Sequence, residues 1–222
     1  MEANNEDAPQ HARFWQEQAR RYDRAVRLLN RRFDEMARAV ASSVQGCGEV
    51  LEVAAGTGLV SQRLAPKVGR LVATDTSTEM LKILEGRLNA GSHSNVEIRI
   101  ADAQALAFDD QTFDAVVMAN LLHLLPEPAL ALREARRVLR PGGVLCAPTF
   151  CHGEHLLAHG VSRVLAMVGF PVVTRFSGDS FGRLFKQEGL RVQERQRFPG
   201  VLPLCFIVAR RDLRAPASPR QA

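Results

Sequence analysis

From Glu49 onward the chain alternates short apolar runs with stretches of helical periodicity, and that alternation constrains its fold more than any other feature. The runs 49–54, 70–75, 96–101, 113–119 and 142–150 read as strands, and helical patterns start between them near Leu59, Thr78 and Pro128. Strands and helices in strict alternation bury their apolar surfaces as a parallel sheet with helices packed on it. The last two runs, Leu190–Phe198 and Leu202–Arg211, are separated by a turn at Pro199 and Gly200. Strands joined that closely cannot cross over and must pair antiparallel. The predicted fold class is therefore α/β, a mostly parallel seven-stranded sheet with a C-terminal antiparallel hairpin and helices on both faces.

Two helical regions flank or interrupt this pattern. Trp15, Ala19, Tyr22, Val26 and Leu29, then Phe33, Met36 and Val40, recur at helical spacing. They predict two amphipathic N-terminal helices over residues 12–46, a cap on the rim of the sheet. Residues 151–189 look mainly helical and read as a second cap, inserted between the fifth strand and the hairpin. Its apolar residues around Val164, Leu165, Met167, Val168 and Phe170 fit the lining of a hydrophobic acceptor pocket and fit ordinary core equally well. One domain over 12–211 is expected, with disordered tails at 1–11 and 212–222, where polar, proline-containing sequence buries too little to offset ordering.

Composition narrows the class. At 222 residues and 46% hydrophobic, the chain can build a full core. The formal charge of +5 comes almost wholly from arginine, the only lysines being Lys67, Lys82 and Lys186. These charges are scattered and form no patch interleaved with aromatic residues, so no nucleic-acid partner is expected. The acidic start MEANNEDAPQ does not resemble a secretory signal, and the longest apolar stretch, 115–132, is interrupted by Asn120, His123, Pro126 and Glu127. No membrane span is expected, and a cytoplasmic location fits. The four cysteines lack CxxC spacing, and most sit in or beside apolar runs, where a thiol behaves as a small hydrophobe.

The first strand runs into Ala54, Ala55, Gly56, Thr57 and Gly58 before a helix begins. Such a loop lets backbone approach a ligand closely and offers it free N–H groups, though a plain strand-to-helix turn would look similar. Asp75 ends the second strand 17 residues beyond Gly58, where a carboxylate can accept both hydroxyls of a ribose. It could instead cap the next helix, a job Ser77 or Thr76 would do as well. Asp102 follows the third strand, so with Glu52 three acids lie at the ends of three successive strands, the edge where open α/β sheets bind ligands.

Taken together, VLEVAAGTGLVS, LVATDTSTEML, RIADAQALAFDDQTFDAVVMANLLHLL and EARRVLRPGGVL resemble the class I S-adenosylmethionine-dependent methyltransferases. The likeness is to the small-molecule branch with a type 11 domain, which includes the ubiquinone and menaquinone C-methyltransferases, and it spans about Gly48 to Arg210. It implies a Rossmann-like sheet and S-adenosylmethionine as cofactor. Carried over by residue, it implies that Glu52 and the loop Ala54, Ala55, Gly56, Thr57 and Gly58 hold the methionine part. Asp75 would bind the ribose hydroxyls, Asp102 would face the adenine amino group with the Ala103 N–H beside it, and Asn120 would offer its carbonyl to the cofactor's amino group. Thr76, Met80, Leu121 and Tyr22 complete the implied cofactor set. Ala54 departs from the family's usual glycine. A dinucleotide site is disfavoured, since the third glycine of its fingerprint is replaced here by Ser61.

Methyl transfer from a sulfonium requires orientation and a dry pocket, and a base where the acceptor must lose a proton. His123, three residues after Asn120, is the candidate base; a packed histidine at a helix start is the plain alternative. His123, Cys151, His152, Met167 and Phe170 are the candidate acceptor pocket. His155 and His159 could share a helix face, yet no established ligand spacing accompanies them and no metal is expected. Where enzymes that methylate base amino groups carry a proline-rich turn, this chain has Asn120-Leu121-Leu122-His123. The sequence therefore favours a small hydrophobic acceptor over RNA or protein, and over a non-catalytic binding protein. Oligomeric state leaves no trace in the sequence.

Overall fold

The computed structural model describes residues 32–91, 93–151, 173–199 and 203–213. Its strands are β1 (Glu49–Val53), β2 (Arg70–Asp75), β3 (Val96–Ile100), β4 (Phe113–Val117), β5 (Leu139–Phe150), β6 (Leu190–Phe198) and β7 (Leu204–Arg211). They form one seven-stranded sheet in the order β3-β2-β1-β4-β5-β7-β6. The first five pair in parallel, and β7 joins β5 and β6 antiparallel, as the alternation and the short hairpin turn predicted. The order reverses between β1 and β4, so the loops leaving these two strands diverge and open a crevice at their carboxyl ends.

Helices cover both faces. On one, α1 (Phe33–Ser43) buries Phe33, Met36, Ala37, Val40 and Ala41 against Val50, Leu71, Ala115 and Val117 of the sheet. The predicted second N-terminal helix thus lies on a face of the sheet and not at its rim. That face is completed by α2 (Ser61–Leu64) and by α3 (Thr78–Ala90), whose Leu84 and Leu88 pack on Ala55 and Ala73. On the other face, α4 (Pro128–Val138) and α5 (Gly178–Gln187) enclose a core running from Leu51 and Val116 to Phe181, Phe185 and Ile207.

Three local details differ from the pattern reading. The helix expected from Leu59 is four residues of α2 followed by a 3-10 turn over Ala65–Lys67, because Pro66 lacks the N–H an α-helix needs. β5 begins at Leu139, earlier than the apolar run suggests: Leu139 pairs with Phe113, the register then shifts, and Val144 pairs with Ala115. The Pro141-Gly142-Gly143 segment is absorbed as the irregularity between them. Cys151 and Cys205, read as lone hydrophobic thiols, are bonded to each other with Cα atoms 6.1 Å apart, since the β5–β7 ladder places Cys205 opposite Thr149 and Cys151 N–H against the Pro203 carbonyl. Among the described residues no helix is long and apolar enough to cross a membrane. The first predicted N-terminal helix, the tails and the cap residues 152–172 lie outside the described residues.

Candidate functional site

The loop after β1 is built on left-handed backbone. Ala54, Gly56 and Gly58 have φ of +56°, +56° and +85°. Gly58 is required twice over, by its φ and by a Cβ that would come within 3.0 Å of Leu84 Cγ, whereas a Cβ at Gly56 would meet nothing within 4 Å. The protein therefore leaves space open on the Gly56 side of the loop. Ala54, the departure from the usual glycine, adopts the left-handed conformation with its methyl in place, a strain of about 1 kcal/mol for an L-residue. Arg87 of α3 steadies the turn, its Nη1 donating to the Thr57 carbonyl and to Thr57 Oγ1, both at 2.9 Å.

Asp75 ties this loop to the next one. Its Oδ2 accepts the Gly56 N–H at 2.8 Å and its Oδ1 the Ser77 N–H at 2.9 Å. The cap of α3 is Ser77, whose hydroxyl accepts the Met80 N–H, so Asp75 does not hold the capping role. Burial raises its pKa, and the N–H groups of Ser77, Gly56 and Thr76 pull it back down. A carboxylate has about four acceptor positions, so these backbone bonds still leave room for a ligand hydroxyl.

Beneath the loop lies an electrostatic anomaly. Glu52, 1% exposed, points to the α1/α2/α3 face, and burial pushes its carboxyl up to about 8 against the opposing pull of the nearby Ser61 hydroxyl, with the Asp75 charge adding to the rise. Glu52 Oε2, Ser61 Oγ and Asn120 Oδ1 are buried without a hydrogen-bond partner among the described residues. Such atoms are costly unless something else satisfies them. Asn120 follows β4 with φ +55°, its N–H donating to the Pro148 carbonyl at 2.8 Å. Asparagine tolerates that conformation better than most residues.

Asp102 stands exposed beyond β3, its Oδ1 accepting the Gln104 N–H at 2.9 Å, while Ala103 is buried beneath it. Thr76 is exposed at the start of the β2–α3 connection, and Met80 and Leu121 are buried. Glu52, the Ala54–Gly58 loop, Asp75, Asp102 and Asn120 thus lie at the carboxyl ends of β1, β2, β3 and β4. Ser61 and Arg87 belong to the same neighbourhood and escaped the sequence reading, because a serine in a helix start and an arginine on a helix carry no motif.

His123 sits in a 3-10 turn over Leu122–Leu124, 1% exposed, with Nδ1 2.9 Å from Thr149 Oγ1 and its ring edge-on to Phe150 at 5.5 Å. Its carbonyl accepts the N–H groups of Val173 and Thr174. Cys151 adjoins this group in the sheet, in its bond with Cys205. Trp15, Tyr22, His152, His155, His159, Met167 and Phe170 lie outside the described residues. Among the described residues no cluster of three or more His, Cys, Asp or Glu could hold a metal ion.

Comparison with known proteins bears on the family and the fold. A family model described as a methyltransferase domain matches residues 51–147. A demethylmenaquinone methyltransferase of Thermobifida fusca is 33% identical over 168 residues, 73% of this chain and 70% of the relative. One from Clavibacter sepedonicus is 40% identical over 130 residues, 56% of this chain and 52% of the relative, so the matched region is about half of that protein's length. In fold, a SAM-dependent methyltransferase from Aquifex aeolicus superposes with a TM-score of 0.69 at 22% identity, over 88% of this chain and 97% of that one.

Proposed function

Because the chain belongs to the class I S-adenosylmethionine-dependent methyltransferase family, we propose that it methylates a small hydrophobic acceptor, a quinone-type ring, from a cofactor seated at the β1–β4 crevice. The observation that carries the seat is the set of buried atoms, Glu52 Oε2 and Asn120 Oδ1 above all, that have no hydrogen-bond partner among the described residues, beside a loop whose Gly56 faces open space. A cationic, hydrogen-bond-donating ligand fits such a donor-poor acidic hollow. S-adenosylmethionine, when bound, supplies a methyl group on a positively charged sulfur. Glu52 and the Asn120 carbonyl would hold the methionine ammonium, and the Ala54–Gly58 loop would lie along the methionine chain. The remaining acceptor positions of Asp75 would take the ribose hydroxyls, and Asp102 with the Ala103 N–H would take the adenine edge.

That methyl would pass to the acceptor with the bonding pair left on the sulfur, and the loop residues would hold the two in line. A ring carbon or hydroxyl that accepts the methyl must release a proton. His123 takes it in this reading, from a ring whose Nδ1 lies 2.9 Å from Thr149 Oγ1. The acceptor class rests on the relatives, which are named for demethylmenaquinone. Against a nucleic acid stands the pairing of the arginines with acids, Arg70 with Glu49 and Glu97, Arg137 with Glu134 and Asp110, Arg140 with Asp114. We place the enzyme in the cytoplasm.

The test is an incubation of the purified protein and S-adenosylmethionine with demethylmenaquinol, RNA or a protein mixture in parallel. Ring-methylated quinol with stoichiometric S-adenosylhomocysteine is expected; methylation of RNA or protein alone would overturn the acceptor class. His123→Gln should lower kcat about 100-fold with little change in cofactor binding. An unchanged kcat would return His123 to a packing role.

A further inference from the structure

Arg137, on the last turn of α4, uses every N–H of its guanidinium. Nε donates to Glu134 Oε1 at 2.8 Å, Nη1 to the Phe108 carbonyl at 2.7 Å and to Asp110 Oδ1 at 2.8 Å, and Nη2 to the Leu106 carbonyl and Glu134 Oε2, both at 2.8 Å. Glu134 Oε2 also accepts the Leu106 N–H at 2.8 Å, so Leu106 is gripped at both its N–H and its carbonyl. The Arg137 carbonyl accepts the Gln111 N–H at 3.0 Å, and Gln104 Nε2 donates to the Glu127 carbonyl at 3.0 Å. With only 15% of the Arg137 side chain and 21% of that of Glu134 exposed, these contacts are shielded enough to hold.

All of these bonds except the Arg137–Glu134 pair end on the connection between β3 and β4, which contains no helix or strand and whose sole sheet-like contact is an isolated bridge of Asp102 with Ala105. Asp102 itself is exposed, and its carboxylate is tied only within its own turn, to the Gln104 N–H, so where it points depends on how that turn is held. A recognition group on a loop discriminates ligands only when the loop is held in advance, since otherwise ordering costs consume the contact.

We propose that Arg137 and Glu134 are positioning residues that clamp the Asp102–Leu106 turn, so that the Asp102 carboxylate and Ala103 N–H present a fixed pair to the adenine edge of the cofactor. This rests on the cofactor seat proposed above. Lysine cannot replace the arginine, because three N–H groups diverging from one nitrogen cannot reach two carbonyls and two carboxylates at once.

The test compares S-adenosylhomocysteine with S-inosylhomocysteine, which has a carbonyl in place of the 6-amino group, by calorimetric titration of wild type, Asp102→Ala, Arg137→Lys and Glu134→Gln. Wild type should prefer the adenosyl ligand by about tenfold or more, and Asp102→Ala should abolish that preference. Arg137→Lys should lose most of the preference too, and Glu134→Gln, which keeps volume while turning one acceptor into a donor, guards against a misfolded lysine variant. A merely structural role would lower the unfolding temperature and weaken both ligands alike, leaving their ratio at the wild-type value; that result would overturn the proposal. Wild type that binds neither ligand would refute the cofactor seat instead.

Discussion

The two halves of the sheet obey different rules. At the β5-β7-β6 side the antiparallel ladders run over Val144–Phe150 and Leu190–Phe198, and the outer strand β6 is dominated by polar and charged residues that blunt an exposed edge. At the β1–β4 junction, Ala54, Gly56 and Asn120 take left-handed backbone, and three buried side-chain atoms lack partners among the described residues. The one comparable atom at the antiparallel side among the described residues is Arg211 Nε, whose neighbouring Nη1 donates to the carbonyls of Arg136, Arg137 and Leu139 and so secures the end of α4. Strain and unmet polarity accumulate where strands diverge, which is what the proposed cofactor seat requires.

Substitutions can break this contrast. The largest effect should come from Glu52→Gln, which removes the buried charge meant for a cation and should weaken S-adenosylhomocysteine about 100-fold. It also carries the pH dependence. With its folded-state pKa near 8 and an ordinary value of 4.5, Glu52 holds a proton in the folded chain that the unfolded chain releases. Its contribution to stability is therefore fullest below pH 4.5 and declines as pH rises towards 8. A cation bound against it demands the ionised form, so binding at pH 7 should expel close to one proton, read as about one unit of buffer-ionisation heat in calorimetry. Glu52→Gln should expel none, and wild-type heats that do not depend on the buffer would refute the assignment.

Smaller effects sharpen the contrast. Gly58→Ala should cost about 2 kcal/mol in chemical unfolding, combining positive φ with the Leu84 contact. Ala54→Gly should add about 1 kcal/mol of stability by relieving its backbone, and a loss of stability would mean that the Ala54 methyl packs better than its φ suggests. Gln193→Ala on the exposed face of β6 should stay within about 0.5 kcal/mol and leave ligand binding untouched.

Much of this was legible from the residues in order. β2 begins and ends where the apolar run does, and the hairpin follows from a turn too short for a crossover, because both signals are local. The length of β5 was hidden, since Pro141-Gly142-Gly143 reads as a turn and becomes part of a strand only through pairing with β4. The three acids and the loop glycines pointed to the candidate site, as their spacing from strand ends is a sequence property. Its supports did not: Ser61 under Glu52, Arg87 on Thr57 and Arg137 on the Leu106 turn act across 9 to 31 residues of chain, and no periodicity links them. The Cys151–Cys205 pairing was obscured in the same way, by a separation of 54 residues that only the antiparallel register closes.

The most direct test of the account is calorimetric titration of wild type and Asp75→Ala with S-adenosylhomocysteine, because Asp75 joins the Gly56 loop to the start of α3 and leaves acceptor positions for a ribose. The account predicts wild-type binding in the micromolar range and a loss of about 100-fold in Asp75→Ala. Equal binding by the two proteins, or none by wild type, would contradict a cofactor seat at the β1–β4 crevice.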